Sequence, residues 1–191
     1  MARNSLASKV QGQIADGNRD IRSSLPFRQV NHPGSPSYQP DMQRHHLLPR
    51  EVVISRCFRR MSEVLGRAEV GYSDFRRNGL LLPATVAAAM RTTLPLHRGP
   101  HRRYNEMVAT RVGQIEASWS RYRRQNDARA GGEALTRLRL LQRALRRGLM
   151  QREHFSMRLN RKDPFRAGVD FAELDGMAEQ LWAASAIATE T

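Results

Sequence analysis

Three stretches decide the fold: His45-His46-Leu47-Leu48-Pro49, Asn78-Gly79-Leu80-Leu81-Leu82-Pro83 and His97-Arg98-Gly99-Pro100-His101. The first is a short apolar run closed by proline, which reads as a strand or an extended segment. The second is a turn dipeptide entering another short buried strand. The third stands where a helical period begins. From His101 onward, Tyr104, Met107, Val108, Arg111, Val112, Ile115, Trp119 and Tyr122 recur at 3.6-residue spacing.

Outward from these stretches the chain reads as mostly helical. Val53, Cys57, Met61 and Val64 or Leu65 place a helix over Glu51 to Leu65, with Gly66 as its stop. Residues 70–78 read as a polar loop carrying Tyr72 and Phe75, and the Ala-rich stretch Thr85 to Leu94 as a helix. Gly131-Gly132 is expected to break the long helix that starts at His101. Beyond it, Leu135, Leu138, Leu141 or Leu145, and Leu149 define a further amphipathic helix. Its polar face carries Arg137, Arg139, Arg143, Arg146 and Arg147. Asp163-Pro164 marks another break. Phe171, Leu174, Met177, Ala178, Leu181 and Trp182 then form a last, acidic amphipathic helix. No internal repeat is visible. Residues 1–43, rich in Ser, Asn, Gln, Gly and Pro, read as a flexible arm or linker. The expected organisation is that arm, a core over 44–130, and a helical C-terminal extension over 131–191.

The chain of 191 residues can bury one good core, and its formal net charge is +14. Lys9 and Lys162 are the only lysines, so nearly all the positive charge is arginine, which forks onto phosphate. Residues 44–105 carry twelve basic and four acidic groups. Residues 106–166 carry fifteen and six, and residues 167–191 none and five. A basic body ending in an acidic tail predicts a polyanionic partner, nucleic acid before an anionic membrane surface. The acidic helix is expected to dock on that body or to cap it with an acidic solvent face. Cys57 is the single cysteine, which excludes an intrachain disulfide and a cysteine-based zinc site. With no apolar leader and no stretch fit to span a bilayer, the expectation is a cytoplasmic protein, or one delivered to a target cell's cytoplasm.

The histidines carry the chemistry. Phosphodiester hydrolysis needs an attacking water, stabilisation of phosphoryl charge and help for the leaving alkoxide. One divalent ion does the last two, and a neutral imidazole suits the first. Adjacent His45 and His46 point to opposite faces of a strand, so one can ligate while the other faces the water. His97 and His101 share a face if the helix starts by His97. If it starts only at His101, the loop must bring His97 round. Asn78 can fix a histidine ring or the loop by a side-chain hydrogen bond. Taken singly, His45-His46 reads as a solvated polar pair at a strand start and His97 with His101 as a helix N-terminal pair near a turn; in this order and together they favour a nuclease site. His32 and His154 stand outside the pattern.

His45-His46-Leu-Leu-Pro, Asn78-Gly-Leu-Leu-Leu-Pro and Leu96-His97-Arg-Gly-Pro-His101-Arg-Arg-Tyr104-Asn105 resemble the AHH family of nucleases, over roughly residues 43–115. That family belongs to the HNH, or ββα-metal, superfamily, often as toxin modules. The resemblance implies an α+β fold, mostly helical. Its small ββα-metal core has two short strands and a metal-binding helix, wrapped by longer amphipathic helices. It implies a metal-dependent endonuclease acting on nucleic acid, DNA more than RNA, with one divalent ion, Mg or Zn. His46 would be the general base and His45, His97 and His101 the metal ligands, with Asn78 orienting the base or holding the loop. Tyr104 and Asn105 belong to the family pattern in packing or phosphate contact. Arg98, Arg102 and Arg103 flank the second histidine pair as candidate phosphate contacts, against the simpler reading of solvated helix charges. An immunity protein is the partner a toxin setting implies. Arg44 stands where the family has a small Ala, and would crowd the site or contact phosphate. The rival readings are a catalytically inert nucleic-acid-binding protein and a structural zinc protein on the same fold.

Overall fold

Met42–His46 (β1) and Gly79–Pro83 (β2) pair antiparallel, with His45 opposite Leu80 and His46 opposite Gly79. The computed structural model describes residues 24–151, 159, 160, 162–164, 176 and 180. Within them the first strand ends at the histidine pair instead of starting there. The chain bends because Asn78 grips it: the Leu47 amide donates to the Asn78 carbonyl at 2.8 Å and the Leu48 amide to Asn78 Oδ1 at 2.8 Å. Leu47 and Leu48 thereby leave the strand and enter the core, at 0% and 1% exposure.

A 3-10 turn, Phe27–Gln29, precedes β1. After it come α1 (Arg50–Ile54), α2 (Arg56–Leu65), α3 (Arg67–Val70) and α4 (Phe75–Asn78). β2 is followed by α5 (Val86–Thr92), α6 (Arg102–Tyr122) and α7 (Asp127–Met150). The single helix expected over Glu51 to Leu65 is two, because Ser55 takes an extended conformation (φ −60°, ψ 148°) and its hydroxyl donates to the Val52 carbonyl. The break lets Val52 and Val53 of α1 and Met61 of α2 all turn inward.

The expected loop over 70–78 contains a turn of helix. Asp74 caps α4 by accepting from the Arg76 amide at 3.0 Å. At Gly79 any Cβ would collide with the Phe75 ring, so the strand can begin there only with glycine.

The expected break at Gly131-Gly132 is also displaced. α6 stops at Tyr122 and Asn126 caps α7 by accepting from the Arg129 amide at 2.9 Å, so both glycines lie inside α7. A Cβ at Gly131 would stand 3.6 Å from Leu65, and Gly132 faces open space. α6 and α7 fold back on each other as a helical hairpin. Val108, Val112, Ile115 and Trp119 meet Ala130, Ala134, Leu138 and Leu145 in one core with Leu47, Leu48 and Leu82. Trp119 packs there, as expected, whereas Tyr122 is exposed. The architecture is the expected α+β one, mostly helical. The acidic helix at 167–191, apart from residues 176 and 180, and His154 lie outside the described residues. Among the described residues no helix is long and apolar enough to cross a membrane.

Candidate metal centre

Strand alternation separates the adjacent histidines. His45 turns inward and is 1% exposed, while Arg44 and His46 share the other face of β1. α6 begins after His101, which occupies its N-cap, so His97 lies in the preceding loop. That loop is pinned at both ends of one dipeptide. The Leu96 amide donates to Asp163 Oδ2 at 3.0 Å, and the His97 amide donates to the Pro83 carbonyl at the end of β2 at 2.7 Å.

The three imidazoles converge. Ring centroids stand 4.8 Å apart for His45 and His97, 5.0 Å for His45 and His101, and 5.0 Å for His97 and His101. One nitrogen from each lies within 4.8 Å of the others, and the Nε2 atoms of His97 and His101 are 3.1 Å apart. Two imidazole nitrogens bound at ~2.0–2.1 Å to one tetrahedral zinc stand about 3.4 Å apart, so the pair is spaced for a shared ion. Both ring nitrogens of His45 and Nδ1 of His97 are buried with no hydrogen-bond partner among the described residues. Such orphaned groups are costly, and a cation would satisfy those aimed at the centre. Burial, and next the neighbouring His97, His101 and His46, hold His45 well below the usual imidazole range. Burial and then His101 push His97 down to about 4. Both are therefore neutral near pH 7, the form that ligates a metal. His101 Nδ1 and Asn105 Oδ1 are 2.9 Å apart, and the Asn105 amide donates in turn to Glu51.

On the opposite face, His46 is half-buried and stacks flat on Phe27, with centroids 3.8 Å apart and an interplanar angle of 2°. Phe27 meets Phe75 edge-on at 5.1 Å. Arg44 Nη1 donates to the Phe27 carbonyl at 2.7 Å. Arg44 thus does not crowd the three converging histidines; it fastens the segment that covers His46. Burial, and next Arg44 and Arg50, lower the His46 pKa below its ordinary value.

Asn78 bonds to backbone and to Gln142, not to a histidine ring. Fully buried, its Nδ2 donates to the carbonyls of Leu48 (3.2 Å) and Tyr72 (3.3 Å), while Oδ1 accepts from Leu48 and from Gln142. Tyr104 packs edge-on against His45 and His101 and donates its hydroxyl to the Leu47 carbonyl at 2.6 Å. Arg98, Arg102 and Arg103 are exposed around His97 and His101. On α7, Arg137 pairs with Glu133 and Arg139 with Glu69, and Arg146 donates to the Arg76 carbonyl.

Three participants escaped sequence reading: Phe27, Asp163 and Glu51. Phe27 sits in a Pro- and Ser-rich arm with no periodicity. Asp163 read only as a turn residue, 67 positions from the loop it fixes. Glu51 stands in sequence only as the first residue of the helix expected over Glu51 to Leu65.

β1, the loop tied to the end of β2 and the start of α6 thus bring three imidazoles to one point. The family model of AHH, a nuclease family of the HNH/ENDO VII superfamily with conserved AHH, matches residues 27–145, and the chain belongs to that family. Arg44 occupies the first position of the family's Ala-His-His triplet. No curated protein and no solved structure matches the chain significantly.

Proposed function

We propose that the protein is a metal-dependent endonuclease that hydrolyses phosphodiester bonds, with DNA the expected substrate. The convergence of His45, His97 and His101, with His46 next in the chain on the other face of β1, carries this reading. The three imidazoles would hold one divalent ion, and an all-nitrogen set favours a transition ion such as Zn over Mg. When bound, the ion supplies charge stabilisation to the phosphoryl oxygens and the leaving alkoxide.

The chain's own residues do the rest. His46 is a neutral imidazole able to take a proton from water, and stacking on Phe27 fixes its ring plane. Asn78 holds the bend just after the histidine pair. Asn105 accepts from His101 and orients its ring. Arg98, Arg102 and Arg103 reach phosphates on either side of the scissile bond. Arg44 holds the Phe27 carbonyl through Nη1 and, exposed on the His46 face, is a further candidate contact to phosphate. A toxin role with an immunity partner belongs to the same proposal, supported by the family resemblance alone.

Plasmid incubated with the protein should be cut with Zn²⁺, Mg²⁺, Mn²⁺ or Ni²⁺ and spared with chelator. His46→Ala should abolish cutting while zinc affinity stays at the wild-type value; undiminished cutting by that variant rejects the base assignment. The structural-zinc reading is weaker on one observation. Among the described residues no fourth His, Cys or carboxylate joins the cluster, whereas structural zinc sites are closed by four protein ligands.

A further inference from the structure

A cavity of about 540 Å³ opens between the 27–29 turn, the end of β1 and α1. It lies on the His46 face of the strand, away from the three converging imidazoles. Leu48, Val53 and Tyr72 form a buried apolar floor, and Ile54, 50% exposed, stands at the edge. Phe27 and His46 form one wall as a stacked pair. Arg28, Arg50 and Arg67 also line it, and all three are exposed. No acidic residue lines the cavity, and no carboxylate among the described residues pairs with any of these three.

The chemistry of the walls selects the occupant. Unpaired guanidinium groups call for an anion, and they fork onto phosphate. A bare phosphate would leave the apolar floor wet. A ligand joining a phosphate to a flat, largely apolar ring uses both, and the volume lies in the range of small-molecule sites. A base stacked and paired inside a duplex cannot reach such a floor, whereas an unpaired base can.

We propose that this cavity holds one unstacked nucleotide of the substrate strand, its base on the Leu48–Val53–Tyr72 floor and against Ile54 at the edge, and its phosphate on the arginine rim. The protein accordingly acts on single-stranded or locally unpaired nucleic acid. This rests on the nuclease reading above and deepens it by naming the substrate form.

The test is binding by the full chain in chelator, read as the fluorescence anisotropy of a labelled oligonucleotide, single-stranded or annealed to its complement. Single strand should bind tighter than duplex. Ile54→Glu, at a half-exposed position that leaves the core intact, should weaken single-strand binding about tenfold and leave duplex binding unchanged. A nucleoside monophosphate should displace the strand at concentrations where inorganic phosphate does not. Equal affinity for both forms, an Ile54→Glu effect equal on both or on neither, or equal competition by phosphate would overturn the proposal. Arg67→Ala checks the rim separately, and unaltered single-strand binding by it counts against the assignment. Metal-dependent plasmid cutting is scored in parallel. Cutting without a single-strand preference sinks only the cavity assignment, and nucleotide binding without cutting sinks only the nuclease reading.

Discussion

Two asparagines do different work in this fold, and each can be tested alone. Asn105 contributes one hydrogen bond to the ring of His101 and is itself held by Glu51. A metal-binding imidazole with an oriented outer nitrogen is a better ligand, and removing such a partner costs roughly 10–100-fold in affinity. Asn105→Ala should therefore weaken zinc binding by about that factor, measured by competition with a chromophoric chelator, with the circular dichroism spectrum unchanged. Wild-type affinity in this variant would remove Asn105 from the site. Asn78 has no ring to orient. It closes four hydrogen bonds at full burial, to Leu48 twice, Tyr72 and Gln142. Asn78→Ala leaves the buried Leu48 amide without its acceptor and takes from Gln142 Nε2 one of its two acceptors, the Val70 carbonyl remaining, at ~1–3 kcal/mol for a buried group left unpaired. Urea unfolding should show a loss of about 2 kcal/mol or more. A loss below ~0.5 kcal/mol would mean that water replaces the amide and that the bend after His46 is held by something else.

At the scale of elements, α7 gives the clearest disagreement between sequence and structure. Consecutive glycines favour a break, yet Gly131 and Gly132 are helical because Asn126 caps the helix upstream and Ala130, Ala134 and Leu138 bury one face against α6. Gly132 has ordinary helical backbone and nothing within 4 Å of an added Cβ. Gly132→Ala should raise stability by ~0.5–1 kcal/mol, seen as a higher Tm. Destabilisation would place the break where the dipeptide suggests. The same contrast shows what was legible. His45, His46, Asn78, His97 and His101 could be read because a metal-type site leaves fixed residue types in a fixed order, and β2 could be read because a turn dipeptide opens it and proline closes it, whereas Pro49 closes a segment that has already left β1. Ser55 was not legible: a polar residue between two apolar periods breaks a helix only when packing rewards two directions of approach. Phe27 was not legible either, since its partners His46 and Phe75 are distant in the chain and its surroundings read as linker. Arg44 could be singled out as a departure from the family triplet. What it does, holding the Phe27 carbonyl, depends on a tertiary contact with no local sign.

For the whole molecule, net charge alone does not say where a polyanion lies, because many arginines are already engaged. Arg139 pairs with Glu69 and Arg137 with Glu133. Part of the basic face of α7 is thus internal bracing, contrary to the simplest reading of its arginine stripe. Arg102 and Arg103, exposed on the first turn of α6 beside His101, have no carboxylate partner among the described residues. Counterion release ties each phosphate contact to the salt dependence of binding, with a slope of about −0.9 per contact on duplex and about −0.7 on single strands. Arg102→Ala with Arg103→Ala should flatten a plot of log Kd against log salt by roughly one to two units of slope. Arg139→Ala should leave the slope unchanged while removing a weak surface pair, worth ~1 kcal/mol or less. Titration of a fluorescent oligonucleotide across a series of KCl concentrations in chelator reads both. If the Arg139 variant flattens the slope and the paired α6 variant does not, the strand runs along α7, and the metal centre with its flanking arginines is not where nucleic acid binds.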